Sequence, residues 1–434
     1  VNEYLIGIIG IVVLLAALGA GVPIAVSLGL VGMAGLTILI APEAAVIKAG
    51  VVAFDMASRY ELGVLPLFLF MAHLCFAAGA SRDFYDSAAK FVGHKPGGLA
   101  LASIGGCAGF GAISGSSLAT VATIGLVALP EMRKHNYSPA LATGAIAAGG
   151  SIGSLVPPSA ALIVFGILTE SSIGRLFTAA IIPGLTQALF YMGVIWLVCT
   201  LRPEMGPRLP REPWAVRLAS LKRLWDLALL ILLVIGGIAV GWFSPTEAAS
   251  VGCVGAFAIC AWRRTLKLGV VVKALRETLR TTGMIYAIII GAIVFSTFIA
   301  ATGVGEGMAA WVASINADQL TVLIILVLVV LALGMFLDGL ALMTLTVPIF
   351  IPIIEQAGIS PIFFGIILVR AMEIGFVHPP VGMNVYIIHS MAKDVPLMTV
   401  FKGVVPFLIS DLLHVALLIA FPALVMFLPD LLGA

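Results

Sequence analysis

The sequence predicts an all-helical integral membrane protein made of two inverted-topology repeats with re-entrant hairpins and broken helices, an ion-transporter-like architecture. Three observations carry this. Of the 434 residues, 61% are hydrophobic and 10% charged, where a soluble domain carries roughly a quarter charged. Apolar runs long enough to cross roughly 30 Å of hydrocarbon recur along the whole chain, which excludes a soluble enzyme on one anchor. The chain also aligns with itself at an offset of 222 without a gap. Pro23 falls on Pro245, Pro130 on Pro352, Ser138-Pro139 on Ser360-Pro361, Gly153 on Gly375 and Pro157-Pro158 on Pro379-Pro380. A transmembrane barrel is excluded because residues 227–241 (LALLILLVIGGIAVG) show no alternation.

The elements follow in order. Tyr4 to Ala20 has no basic n-region and no small-residue cleavage site, so it is expected to be a span and not a signal peptide. A second span covers about 22–40, and residues 62–93 are expected to form a re-entrant hairpin with its tip at Ala78-Gly79-Ala80-Ser81. Further spans are expected at 98–130, 139–168 and 181–199. Residues 1–200 are then one repeat, 201–225 a basic linker and 226–434 the second repeat, with a hairpin over 282–316 tipped by Thr302-Gly303-Val304-Gly305. Five crossings is an odd number, so consecutive repeats sit in opposite orientations. Lys and Arg test that count, because cytoplasmic loops collect them. With a cytoplasmic linker, only Lys48, Arg59, Arg82, Lys90, Lys95 and Arg175 fall outside, Arg370 lies within a span, and both termini face outward.

Residues 98–130 are too long for one straight span, and their middle reads GFGAISGSSLAT. Glycine disfavours helix by roughly 1 kcal/mol per residue and serine competes for backbone hydrogen bonds, so a break is expected near residues 114–117. Unwound backbone is tolerated at membrane depth only where it is buried in protein or lines a wet cavity. The freed carbonyls and the hydroxyls of Ser114, Ser116, Ser117 and Thr120 are neutral oxygen ligands suited to sodium, and nearby helix N-termini suit an anionic solute. In the second repeat the break is expected near 336–339, where Asp338 falls on Ser116, with Gly339 and Thr344 following. An ionisable group in a span is a functional candidate; Asp338 equally suits the cap of the half-helix after it. Pro157, Pro158, Pro379 and Pro380 open two further spans and free carbonyls close by. Arg370 and Glu373, three apart, are expected to pair within the bundle. His73, His378 and His414 are expected to be structural and the five cysteines to be small buried residues, while Glu61 and Glu247 could equally be helix caps.

Other chemistry is absent from the pattern. There is no GxxxxGK[ST] for ATP. Gly149 to Gly153 (GGSIG) matches GxSxG but lies within a helical span, without the strand-turn-helix context of a nucleophile. An intramembrane hydrolase and an ion channel are therefore weaker alternatives than a transporter. A charge of +2 gives no argument for nucleic acid.

Six stretches also carry a family resemblance: GHKPGGLALASI (93–104), FGAISGSSLATVATIG (110–125), LVPPSAALIVFGILTESSIGRLF (155–177), FSPTEAASVG (243–252), FLDGLALMTLTVPIFIP (336–352) and PPVGMNVYI (379–387). They resemble the large membrane subunit of tripartite ATP-independent periplasmic (TRAP) transporters, over nearly the whole chain. The resemblance implies a multi-pass protein of the bacterial inner membrane with an elevator mechanism, driven by sodium and needing no other cofactor. It implies two partners, a small four-helix membrane subunit and a periplasmic substrate-binding protein that captures an organic acid or related solute. It places ion sites where hairpin tips meet broken helices, at Ser114, Gly115, Ser116, Ser117, Asp338 and Thr344. Two positions depart from the family pattern: His378 precedes the second proline pair in place of a threonine, and Thr120 stands in place of an acid. A stand-alone sodium/anion symporter of related fold is the alternative.

Overall fold

The computed structural model describes residues 3–314 and 317–432. Residues 315 and 316 of the expected second hairpin, and the outermost two residues of each repeat, lie outside the described residues. The first half runs through α1 (Glu3–Gly19), α2 (Ile24–Leu39), α3 (Pro42–Ser58), α4 (Val64–Ala77), α5 (Ala80–Val92), α6 (Gly98–Ser114), α7 (Ser117–Lys134), α8 (Pro139–Gly150), α9 (Ile152–Leu155), α10 (Ala160–Thr169) and α11 (Ile173–Leu201). The linker holds α12 (Trp214–Leu221). Then come α13 (Trp225–Ile231), α14 (Gly237–Ala239), α15 (Pro245–Trp262), α16 (Leu268–Ala301), α17 (Val304–Ser314), α18 (Gln319–Gly334), α19 (Gly339–Gln356), α20 (Pro361–Gly375), α21 (Met383–Met391), α22 (Leu397–Ala420) and α23 (Ala423–Leu432). Shifted by 222, α15 falls on α2, α19 on α7, α20 on α8 and α9, α21 on α10, and α22 on α11. Among the described residues four helices are long and apolar enough to cross a membrane, or up to six if each bent pair is one span.

Local chemistry sets the helix starts. Pro42, Pro139, Pro245 and Pro361 open α3, α8, α15 and α20, where the missing N–H costs nothing. Ser244 and Glu247 form a capping box on α15: the Glu247 N–H donates to Ser244 Oγ at 3.3 Å, and the Ser244 N–H donates to the Glu247 carboxylate at 2.8 Å. Leu5, Val12, Ile409 and Leu413 are exposed, as side chains solvated by lipid would be.

The hairpins lie one element later than the sequence suggests. The Leu99 N–H donates to Tyr137 Oη at 3.0 Å, so the start of α6 meets the residues just after α7. In the second half Gln319 Nε2 donates to Gly358 O at 3.0 Å, joining the start of α18 to the residues after α19. The re-entrant pairs are therefore α6–α7 and α18–α19, and their tips are the breaks themselves. The expected hairpin at 62–93 instead carries the chain from one end of the bundle to the other, and the described part of the expected hairpin at 282–316 is divided between α16 and α17. Gly63, at the start of α4, lies beside Thr246, whereas Gly93 O, beyond α5, accepts from Leu209 N of the linker at 3.0 Å. Between α4 and α5 the chain bends by 62°, short of the reversal a hairpin needs. In the second half the counterparts of α3 and α4 are fused into α16, a continuous 34-residue helix. The basic stretch 263–280 is mostly the first turns of that helix.

Gly79 (φ 90°) and Gly303 (φ 67°), expected at hairpin tips, are elbows. Ser81 is buried in the first turn of α5, and Thr302 donates its hydroxyl to Ile299 O at 2.6 Å. The first elbow is pinned by Arg263, which donates to Asp226 at 2.6 and 2.7 Å, to Asp83 at 2.5 Å and to Ala78 O at 3.1 Å. Asp226, then Asp83, hold the Arg263 guanidinium above its ordinary pKa.

The core groups helices from both halves. Helices α2 and α4 pack on α16 and α15, while α8 packs on α22, α10 on α19, and α21 on α7 and α8. The five cysteines are buried and free. Helices α8 and α22 cross with their backbones in contact: a Cβ on Gly403 would stand 2.0 Å from Ala140 O, and one on Gly144 would stand 2.3 Å from Gly403 O. Gly403→Ala must push these helices apart and is expected to cost about 2–3 kcal/mol. Gly193→Ala, with nothing within 4 Å of the added carbon, is the control and should be neutral or slightly stabilising. Thermal unfolding in detergent measures both, and equal melting temperatures would refute the close crossing.

A buried polar network ties α11, α20 and α22 together and corrects the expected Arg370–Glu373 pair. Arg370 donates Nη2 to Asp411 and Nε to His414 Nδ1, the latter at 3.1 Å. His414 Nε2 meets Thr186 Oγ1 at 2.8 Å. The closer carboxylate of Asp411 wins the guanidinium, and Glu373 is left to another neighbourhood.

Candidate functional site

Two helix breaks meet in each half. At the first hairpin tip Gly115 is left-handed (φ 59°) and ends α6, while Ser116 is extended and caps α7, accepting from Ala119 N at 3.4 Å. A side chain at Gly115 would collide with Pro158 O, 2.3 Å from its Cβ, and Gly115 O accepts from Ala160 N at 3.2 Å. The tip is thus seated on the segment between α9 and α10 that contains Pro157 and Pro158, whose peptide bond is cis. Ser117 N donates to Ser154 Oγ at 3.0 Å. Thr120 Oγ1 donates to Ser116 O at 2.8 Å, so its contact with Ser114 Oγ at 2.9 Å is one in which Ser114 donates. Ser114, Gly115, Ser116, Ser117, Thr120, Pro157 and Pro158 are therefore brought together.

The second tip is built differently. Asp338 caps α19, accepting from Leu340 N at 2.9 Å and Ala341 N at 3.1 Å through one carboxylate oxygen. Capping leaves the second oxygen for another partner. Gly339 is buried against Met372 and Phe376, and the fully buried Thr344 returns its hydroxyl to Leu340 O at 2.8 Å. The tip seats on the end of α20, where a Cβ on Gly375 would be 2.5 Å from Gly334 O. Pro379 and Pro380, also joined by a cis bond, follow in the break before α21. His378 Nδ1 contacts Pro379 O, and the break closes at Gly382 (φ 59°). Asn384 then reaches the first half through Nδ2, which donates to Ala147 O at 3.2 Å.

Sequence reasoning missed Ser154, Asn384 and Asp411. Asp411 carried a usable signal, an acid within a long apolar helix; Ser154 and Asn384 carried none. A cavity of about 1120 Å³ lined by Arg59, Leu62, Glu170, Ser172 and Phe243 lies at the end remote from the linker and does not reach either tip.

Paired helix breaks that gather neutral oxygens in one half and place a carboxylate at the equivalent break of the other suit binding and release of a small ion or solute, not bond cleavage. A family model described as "Tripartite ATP-independent periplasmic transporter, DctM component" matches residues 11–424. The chain belongs to the TRAP DctM family. It is accordingly a multi-pass inner-membrane transport protein and not an enzyme. Among relatives of this DctM-family permease, the C4-dicarboxylate TRAP transporter large permease protein DctM of Pseudomonas aeruginosa is 36% identical over 94% of both chains. The sialic acid TRAP transporter large permease protein SiaM of Vibrio cholerae is 33% identical, covering 96% of this chain and 97% of that one. The crystal structure of the Alcanivorax borkumensis YdaH transporter has a similar fold, with a TM-score of 0.60 at 16% identity, covering 85% of this chain and 86% of that one.

Proposed function

We propose that this permease takes up an organic acid or related small solute, handed over by a periplasmic binding protein, and draws the energy from sodium. The single observation that carries the proposal is the seating of each hairpin tip on a broken helix, with Ser114 to Ser117 in one half and Asp338 in the other as the polar groups at the junctions. Sodium is favoured by hard, mostly neutral oxygens. Ser114, Ser116, Ser117, Asp338 and Thr344 would supply ligands. The named solutes of the relatives, C4-dicarboxylate and sialic acid, are organic acids, and the family description is tripartite and ATP-independent. Both support two partners, a small membrane subunit and the binding protein.

The packing supports an elevator, in which the body containing both tips, α6–α11 with α18–α22, slides against the body of α1–α4 with α13–α16. Sidedness follows from charge. The linker end of the bundle gathers Arg133 with Asp394, Arg263 with Asp226, and the α5 residues Arg82 and Lys90. Of the Lys and Arg expected outside, Arg82, Lys90 and Lys95 lie with α5 toward the linker end, while Arg59 lines the cavity at the other, so the linker end faces the cytoplasm. The first hairpin then opens to the cytoplasm and the second to the periplasm. The test is reconstitution in vesicles with an inward sodium gradient. Micromolar solute should accumulate when both partners are added and not with the lone chain; full uptake by the chain alone would make it a stand-alone symporter, and uptake without sodium would refute the coupling.

A further inference from the structure

Glu373 is fully buried in α20 and forms no ion pair among the described residues, and neither of its carboxylate oxygens makes a well-formed hydrogen bond, although two hydroxyls approach them. Its neighbours are the side chains of Ser154 in α9 and Ser117 at the first hairpin tip, from the opposite half of the chain. The charges around it do not balance. Arg370 is consumed by Asp411. His414 accepts from Arg370 through Nδ1, so its ring is neutral. One guanidinium thus stands against two carboxylates, all with no exposed surface. An unpaired carboxylate in such surroundings is strongly disfavoured unless a positive charge, a proton or a metal cation, joins it.

We infer that Glu373, with the hydroxyls of Ser117 and Ser154, forms a monovalent-cation site at the contact between the first hairpin tip and α20, and that sodium occupies it. The inference rests on the sodium coupling proposed above and adds to it an anionic ligand supplied by the second half. A cation there neutralises the buried cluster and joins the tip to α20, so that the first tip is held closed only when the ion is bound.

The purified full chain in detergent is unfolded thermally while sodium chloride replaces choline chloride at constant ionic strength. The wild-type protein should gain stability with sodium. Glu373→Gln keeps the shape and removes the charge. It should melt above the wild type in choline alone and shift the sodium midpoint upward by about tenfold or more, the scale of losing a charged ligand. Ser154→Ala retains the charge and is the second variant should the first fail to fold; it should raise the midpoint without the gain in choline. Unchanged midpoints in the folded variants overturn this site while leaving coupling through the two tips intact. A wild-type protein indifferent to sodium overturns both.

Discussion

Asp411→Ala is expected to destabilise the protein by about 3–5 kcal/mol, because it leaves the Arg370 guanidinium buried without its carboxylate. Both side chains have no exposed surface, so neither water nor lipid headgroups can replace the lost partner. Arg370 Nη1 already lacks an acceptor, which leaves His414 as its remaining hydrogen-bond partner. Replacing both members, as in Arg370→Met with Asp411→Leu, removes the unpaired guanidinium and should recover part of the loss, since the buried Glu373 carboxylate remains. Unfolding in detergent of the wild type, the two singles Arg370→Met and Asp411→Leu, and the double variant measures the coupling. A single variant within about 1 kcal/mol of the wild type, or a double variant no better than the single, would show that the pair is not the anchor of α20 to α22.

Asp338→Asn is expected to leave stability nearly unchanged and to reduce sodium-driven uptake by about a hundredfold. Asn caps helices about as well as Asp, so the bonds from Leu340 N and Ala341 N survive while the charge does not. Losing a charged ligand of about 2–3 kcal/mol accounts for the drop in transport. The measurement is uptake with both partners present, over a range of sodium, beside a melting curve. Wild-type transport by the Asn variant would make Asp338 a helix cap and nothing more.

Composition and the 222-residue offset made the helical class and the place of the breaks legible. They did not reveal how each break is used. A broken span and a hairpin of two short helices share one composition, and residues 98–134 fit either. The deciding contact, Leu99 N to Tyr137 Oη, is invisible to periodicity. Gly79 and Gly303 were persuasive as tips because each is a left-handed glycine signal between two helical segments, yet an elbow demands the same backbone. Arg370 and Glu373 looked paired because they share a helix face, but Asp411, 41 residues later, approaches closer. Local spacing ranks neighbours on one helix and is blind to what a second helix brings.

The interlock of the halves also fixes the order in which the protein can be completed. Asn384 is 237 residues downstream of Ala147, to which it bonds, and Gly403 is the surface on which Ala140 and Gly144 close. At about 5–20 residues per second of synthesis, α8 emerges roughly 10–50 s before its partners exist. During that interval the first hairpin tip, with its Ser114 to Ser117 groups, is already in place but has no α20, α21 or α22 against it. Insertion and assembly are therefore separate events, and the waiting half-protein, polar tip uncovered in the bilayer, is the species that membrane chaperones and quality-control proteases encounter.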